Sequence, residues 1–154
     1  MFAFTGDDLG RRILGCGDGP ASFNAEATQH GCRVISCDPL YAFTRAEIET
    51  RIAATCGQVL DQTRQNAETF VWGNGIRDVE ELGRVRIAAM QTFLDDYEGG
   101  ARAGRYVTGA LPSLPFTDHA FDLALCSHFL FLYSAQIGEP FHLAALRDMC
   151  RVAA

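Results

Sequence analysis

Arg12-Ile13-Leu14-Gly15-Cys16-Gly17-Asp18-Gly19-Pro20 decides the reading of this chain, because a short apolar strand runs into a glycine-rich turn and a helix opens at a proline. Gly15, Gly17 and Gly19 let the backbone turn sharply and approach a ligand where a Cβ would collide. Pro20 suits the first helical position, where a missing N–H costs nothing, and Gly31 supplies a left-handed stop after about three turns. A helix so placed points its positive end at the loop. Arg33-Val34-Ile35-Ser36-Cys37 reads as the next parallel strand, and Asp38 at its carboxyl end is placed to accept both hydroxyls of a ribose. Strand, glycine loop, helix, strand and acid form one βαβ unit, the pattern of a pocket for an adenosine-containing cofactor.

The glycine spacing separates two cofactor classes. A dinucleotide fingerprint, Gly-x-Gly-x-x-Gly, would set its third glycine at position 20, where the helix must pack closely and the pyrophosphate sits on its N-terminus. Position 20 is proline. A nicotinamide-linked oxidoreductase is therefore the more distant alternative, and a glycine-rich turn that binds nothing is the bland one.

Composition narrows the classes further. The 154 residues make one domain's worth of chain, 48% apolar, enough for a real core. Thirteen basic against nineteen acidic residues give a net charge of −6, and no arginine cluster interleaved with aromatics marks a nucleic-acid surface. Every basic residue is Arg, which excludes lysine Schiff bases and P-loop chemistry. The cysteines at 16, 32, 37, 56, 126 and 150 form no Cys-x-x-Cys pair and read as buried free thiols. Residues 1–10 show neither a basic leader nor a long apolar run, so no signal peptide or membrane span is expected, and the default compartment is cytoplasmic.

Beyond Asp38, Thr44 and Glu47 make a capping box for a long amphipathic helix that runs to about Asn66. Asp78, with Glu81 three residues later, caps another, which carries Leu82, Val85, Ala89, Phe93, Leu94 and Tyr97 and ends at Gly99-Gly100. Arg105-Tyr106-Val107-Thr108 is the third strand and Leu123-Ala124-Leu125-Cys126-Ser127 the fourth, apolar enough to be covered on both faces. Pro140 opens a final helix with Leu143, Leu146 and Cys150 facing inward. Residues 41–104 thus form a helical insertion or lid between strands two and three, longer than an ordinary crossover. Tyr41, Phe70, Trp72 and Tyr97 in it are candidates for an acceptor wall, although aromatics at helical spacing are more often core. Asp7-Asp8 and Asp95-Asp96 read as solvated charges. His30, His119, His128 and His142 lack metal-ligand spacing, so no metal site is assigned.

Gly15-x-Gly17-x-Gly19 followed by Asp38 resembles motif I of the class I S-adenosylmethionine-dependent methyltransferases. Leu114-Pro115-Phe116, Phe121-Asp122 and a strand ending in Cys126-Ser127-His128 resemble a second stretch of the small-molecule members. The resemblance implies an α/β fold with a three-layer, Rossmann-like parallel sheet in the order 3-2-1-4, and S-adenosyl-L-methionine as cofactor. It further implies that the backbone of Gly15, Cys16, Gly17 and Gly19 lies under the methionine part and that Asp38 holds the ribose. Pro39 or Leu40 would lie against the adenine, Leu111 would offer it a backbone N–H, and Ser127 would help hold the amino group. The family's acid two residues before the first glycine is Ile13 here, and the acid often found before the adenine contact is Ala110. Family members continue into further strands past residue 154, so the chain is expected to be one methyltransferase-like domain incomplete at its C-terminus. The edge of strand four would then be exposed, which predicts a homodimer through it or poor solubility, unless the preceding helices repack over it.

Methyl transfer from a sulfonium is an in-line displacement with an activated leaving group, so the protein chiefly supplies proximity, orientation and a dry pocket. His128, following strand four, is the candidate base for a hydroxyl or amine acceptor. The small-molecule acceptor is not identified by the sequence. The competing class is a non-catalytic cofactor-binding or regulatory remnant of the same fold, which Ile13 and Ala110 favour.

Overall fold

The computed structural model describes residues 4–69, 73, 76–134 and 136–153. Its centre is a four-stranded parallel sheet of β1 (Arg12–Cys16), β2 (Arg33–Cys37), β3 (Tyr106–Val107) and β4 (Leu123–Leu125), in the order β3-β2-β1-β4. The α/β class and the strand order are those expected. In the middle of the ladder Gly15 of β1 lies between Ser36 of β2 and Leu125 of β4.

Successive residues of β1 serve opposite faces, as the pleat requires. Ile13 packs with Val34, Leu125 and Ala27 of helix α2 (Phe23–Gln29), whereas Leu14 and Cys16 pack with Leu114, Phe121 and with Ala145 and Val152 of helix α5 (Glu139–Val152). Both faces are therefore covered, which explains why β1 is apolar at consecutive positions.

The insertion is a helical hairpin. Helix α3 (Arg45–Gln65) starts at the capping box of Thr44 and Glu47, and helix α4 (Val79–Arg102) starts where Asp78 accepts the Glu81 N–H at 2.7 Å. Arg45 at the start of α3 reaches the Leu94 carbonyl, and Arg64 at its end pairs with Glu80, so the two helices run antiparallel. Tyr41, Phe93, Tyr97 and Tyr106 form a ring cluster that fastens α4 to the sheet, with neighbouring centroids 5.1 to 6.0 Å apart. Tyr41 and Tyr97 are core residues; Phe70 and Trp72 lie outside the described residues. A short helix, α1 (Gly6–Leu9), is closed by its own Thr5–Asp8 capping box.

Of the six cysteines read as buried only Cys16 and Cys37 are, and four expectations about helices and charges also need correction. Helix α2 begins at Phe23 rather than Pro20 and has 7 residues, because Gly17 and Gly19 both take positive φ and carry the turn past the proline. Helix α4 runs through Gly99 and Gly100 to Arg102; the bare Gly100 admits the Tyr106 ring against the helix, and the chain turns at Gly104 instead. Asp96 is not a solvated charge, since it accepts Arg105 at 2.6 Å and the Tyr106 hydroxyl at 2.8 Å.

The fourth correction is the rotation of α5. Leu143, Leu146 and Cys150 face outward, and His142, Ala145, Asp148 and Val152 are buried. Polar anchoring decides this: Asp148 accepts the Leu114 N–H at 2.6 Å, and Arg151 donates to the Leu114 and Phe116 carbonyls. The chain entering β4 is engaged by the end of α5 and the residue that follows it. Ala153 pairs in parallel with Phe121, whose N–H donates to the Val152 carbonyl at 2.9 Å. Among the described residues no helix is long and apolar enough to cross a membrane.

Candidate functional site

The sheet's strand order reverses between β1 and β4, and in open parallel sheets the crevice outside the carboxyl ends at such a point is where ligands bind. A cleft of about 120 Å³ opens beyond the carboxyl ends of the strands, lined by Gly17 after β1, Asp38 and Pro39 after β2, Gly109, Ala110 and Leu111 after β3, and Phe129 after β4.

One wall is cross-bonded at every turn. The Gly17 N–H donates to the Cys37 carbonyl at 2.9 Å, and the Gly19 N–H donates to Asp38 Oδ2 at 2.9 Å. The other Asp38 oxygen accepts the Leu40 N–H at 2.7 Å, so this carboxylate ties the glycine loop to the turn of Pro39–Ala42. The Tyr41 hydroxyl closes the circuit on the Gly19 carbonyl at 2.8 Å.

The glycines of this loop answer different demands. Gly17 sits at φ +69, where L side chains are strained, and the Phe129 ring lies against the place a Cβ would take, at 3.4 Å. At Gly15 the space of the missing Cβ is filled from within the protein, by the carboxylate of Asp18. That side chain folds back over β1 and accepts the Ser36 hydroxyl at 2.5 Å. Burial pushes the Asp18 carboxyl up to about 6, with the Ser36 hydrogen bond opposing the rise and the nearby Asp38 adding to it.

Behind Asp18 a buried chain of hydrogen bonds leads to the insertion. Asn24 donates to Ser36 Oγ, to the Val34 carbonyl and to the Arg105 carbonyl, and its own carbonyl accepts the Arg105 guanidinium at 2.6 Å. Arg105 then pairs with Asp96. The loop is thus coupled to β3 and α4 through fully satisfied polar groups, an arrangement that fixes a unique geometry.

Of the residues singled out from sequence, Gly17, Asp38, Pro39 and Leu111 line the cleft. Gly15 and Gly19 shape the loop without lining it. Cys16 points into the core on the α5 face, and burial drives its thiol far above the ordinary range. Leu40 packs beside the aromatic cluster of the insertion. Ser127 and His128 follow β4 but do not line the cleft; the Ser127 hydroxyl lies 2.8 Å from His128 Nδ1, and His128 is exposed with φ +55. Asp18 and Phe129 were missed. The parallel partnership of Gly15 with Ser36 carried a signal for Asp18, since a glycine opposite a buried serine leaves room for a third group. Phe129 carried none beyond its place two residues after Ser127.

No protein-family model matches the chain, and no solved structure matches it. The chain is similar to an uncharacterised protein of Methanocaldococcus jannaschii, with 29% identity over 157 aligned positions that span 99% of this chain and 68% of that protein.

Proposed function

We propose that the protein is a Rossmann-like methyltransferase that binds S-adenosyl-L-methionine in this cleft and directs its methyl group to a small-molecule acceptor. One observation carries the proposal: a carboxylate at the end of β2, Asp38, and the side-chain-free backbone of Gly17 after β1 line the same crevice beyond the carboxyl ends of the parallel strands. The donor set suits a nucleoside. An ionised carboxylate has about four lone-pair directions, so Asp38 can hold the Gly19 and Leu40 N–H groups and still accept ribose hydroxyls. Pro39 and Leu111 supply apolar walls for a base, and Gly17 brings main chain rather than a side chain to the ligand, in a loop whose shape Gly15, Cys16 and Gly19 set.

When bound, the cofactor supplies a methyl group already activated on a sulfonium. This chain's residues bind, orient and exclude water. His128 is the base proposed for the acceptor, its ring orientation set by the Ser127 hydroxyl. The outer edge of Leu123–Leu125 is the surface proposed for a homodimer.

Calorimetric titration with S-adenosylmethionine, S-adenosylhomocysteine and NAD tests the reading. Saturable binding of S-adenosylhomocysteine, lost in Asp38→Ala, is the expected result; absence of binding, or preference for NAD, overturns it. A second reading, a nucleoside-binding module without transfer, is favoured by the position of His128 outside the cleft lining. The two separate when label from methyl-labelled cofactor is followed into a metabolite fraction: transfer that survives His128→Ala removes the base, and no transfer with intact binding selects the module.

A further inference from the structure

We propose that the Phe129 side chain is the gate of this cleft, shutting it over Gly17 and swinging aside to admit the ligand. The inference rests on the cofactor reading for the identity of that ligand. Small-molecule pockets hold about 300 Å³ or more, and a nucleoside cofactor needs a pocket of that class. The cleft has about 120 Å³, and Phe129 is the one large aromatic side chain among its lining residues. The other walls are short or tied down: Gly17, Gly109 and Ala110 have little to withdraw, and Asp38 is bonded through both oxygens.

The local structure says which motion is available. Leu130, next in the chain, is buried in the core with Leu14 and Val152. The Phe131 N–H donates to His142 Nε2 at 3.2 Å, and His142 Nδ1 lies 3.0 Å from the Gly138 carbonyl, which makes Nδ1 the protonated nitrogen and Nε2 the acceptor. With the main chain pinned on its C-terminal side, the movement is a rotation of the ring rather than an excursion of the whole segment. Tyr133, 47% exposed, has its ring centroid 6.4 Å from that of Phe129, and Phe141 stands edge-on at 6.2 Å. A ring turned toward Tyr133 keeps aromatic company at the surface.

Gating has a measurable signature. A ligand that binds only the open form has its apparent affinity reduced by the open fraction, so a ring closed about nine-tenths of the time costs about tenfold. Wild type, Phe129→Ala and Phe129→Leu are titrated with S-adenosylhomocysteine by calorimetry. The expected result is about tenfold tighter binding by the alanine variant and an intermediate gain with leucine. Equal or weaker binding by both variants, with wild type binding, makes Phe129 a fixed wall: the gate falls and the cofactor reading stands. No binding by any of the three overturns both. Should the variants fail to fold, wild type carrying 4-fluorophenylalanine at position 129 gives the answer by fluorine NMR without ligand, where exchange between two ring environments supports the gate and a single environment without exchange refutes it.

Discussion

The two walls of the cleft are held by different physics. On the β2 side the glycine loop, Asp38, Tyr41, Asp18, Ser36 and Asn24 are joined by hydrogen bonds of 2.5 to 3.4 Å that continue to Arg105 and Asp96. On the β4 side Leu130 is buried and the Phe131 N–H is held by His142, but the side chains of Phe129 and Tyr133 meet neighbouring rings without directional bonds, and Phe131, Leu132 and Tyr133 are 65%, 62% and 47% exposed. Directional bonds among buried groups define one geometry; exposed apolar contacts tolerate several. The comparison assigns shape to one wall and movement to the other.

The sharpest blow to the bonded wall is Asn24→Ala. It strips the donors to Ser36 and to the Val34 and Arg105 carbonyls, and the acceptor of Arg105, in a fully buried place. A loss on the order of 3 kcal/mol in urea unfolding is expected, and a loss under about 1 kcal/mol would show that this wall is not organised by its polar chain. Asp38→Ala comes next. It releases the Gly19 and Leu40 N–H groups, with an expected cost of about 2 kcal/mol, and Asp38→Asn should recover part of it by keeping one acceptor.

Asp18→Asn acts in the opposite direction. The folded-state value near 6 lies above the ordinary 3.8, so the folded protein holds this proton where the unfolded chain has lost it. The associated stability is complete below the ordinary value and is lost as pH rises through the folded one. Asparagine keeps an acceptor for Ser36 and never ionises. The variant should gain on the order of 1 kcal/mol at about pH 7.5, gain nothing at about pH 4, and show a flatter stability profile between them. An unchanged slope in urea midpoints measured across that range would place the titration elsewhere. The smallest effect belongs to the other wall, where Leu132→Ser should change stability by less than about 0.5 kcal/mol, and a loss several times larger would mean that this segment is held as firmly as its counterpart.

Local pattern made much of the fold legible. Apolar runs marked β1, β2 and β4, the first two beside glycines; Thr44 with Glu47 and Asp78 with Glu81 marked the starts of α3 and α4. Asp38 and Gly17 were legible for the same reason, since a strand end and a glycine turn are written in adjacent residues. The failures fell where a distant partner outweighed the pattern. Periodicity put Leu143 and Leu146 of α5 inward, but Asp148 and Arg151 bind the 114–116 main chain and turn the helix the other way. Gly99-Gly100 reads as a helix stop, yet Tyr106 needs that bare surface.

The amino-acid sequence by itself determined the two strands, the glycine turn between them and the acid at the end of β2, because strand periodicity, glycine turns and helix caps act between residues close along the chain. Only the tertiary structure decided that Asp18 occupies the space left at Gly15, that Asn24 reaches Arg105 across 81 positions, and that Phe129 closes on Gly17. Those contacts depend on which elements the folded chain brings within a few ångströms of one another, and no spacing along the sequence encodes that distance.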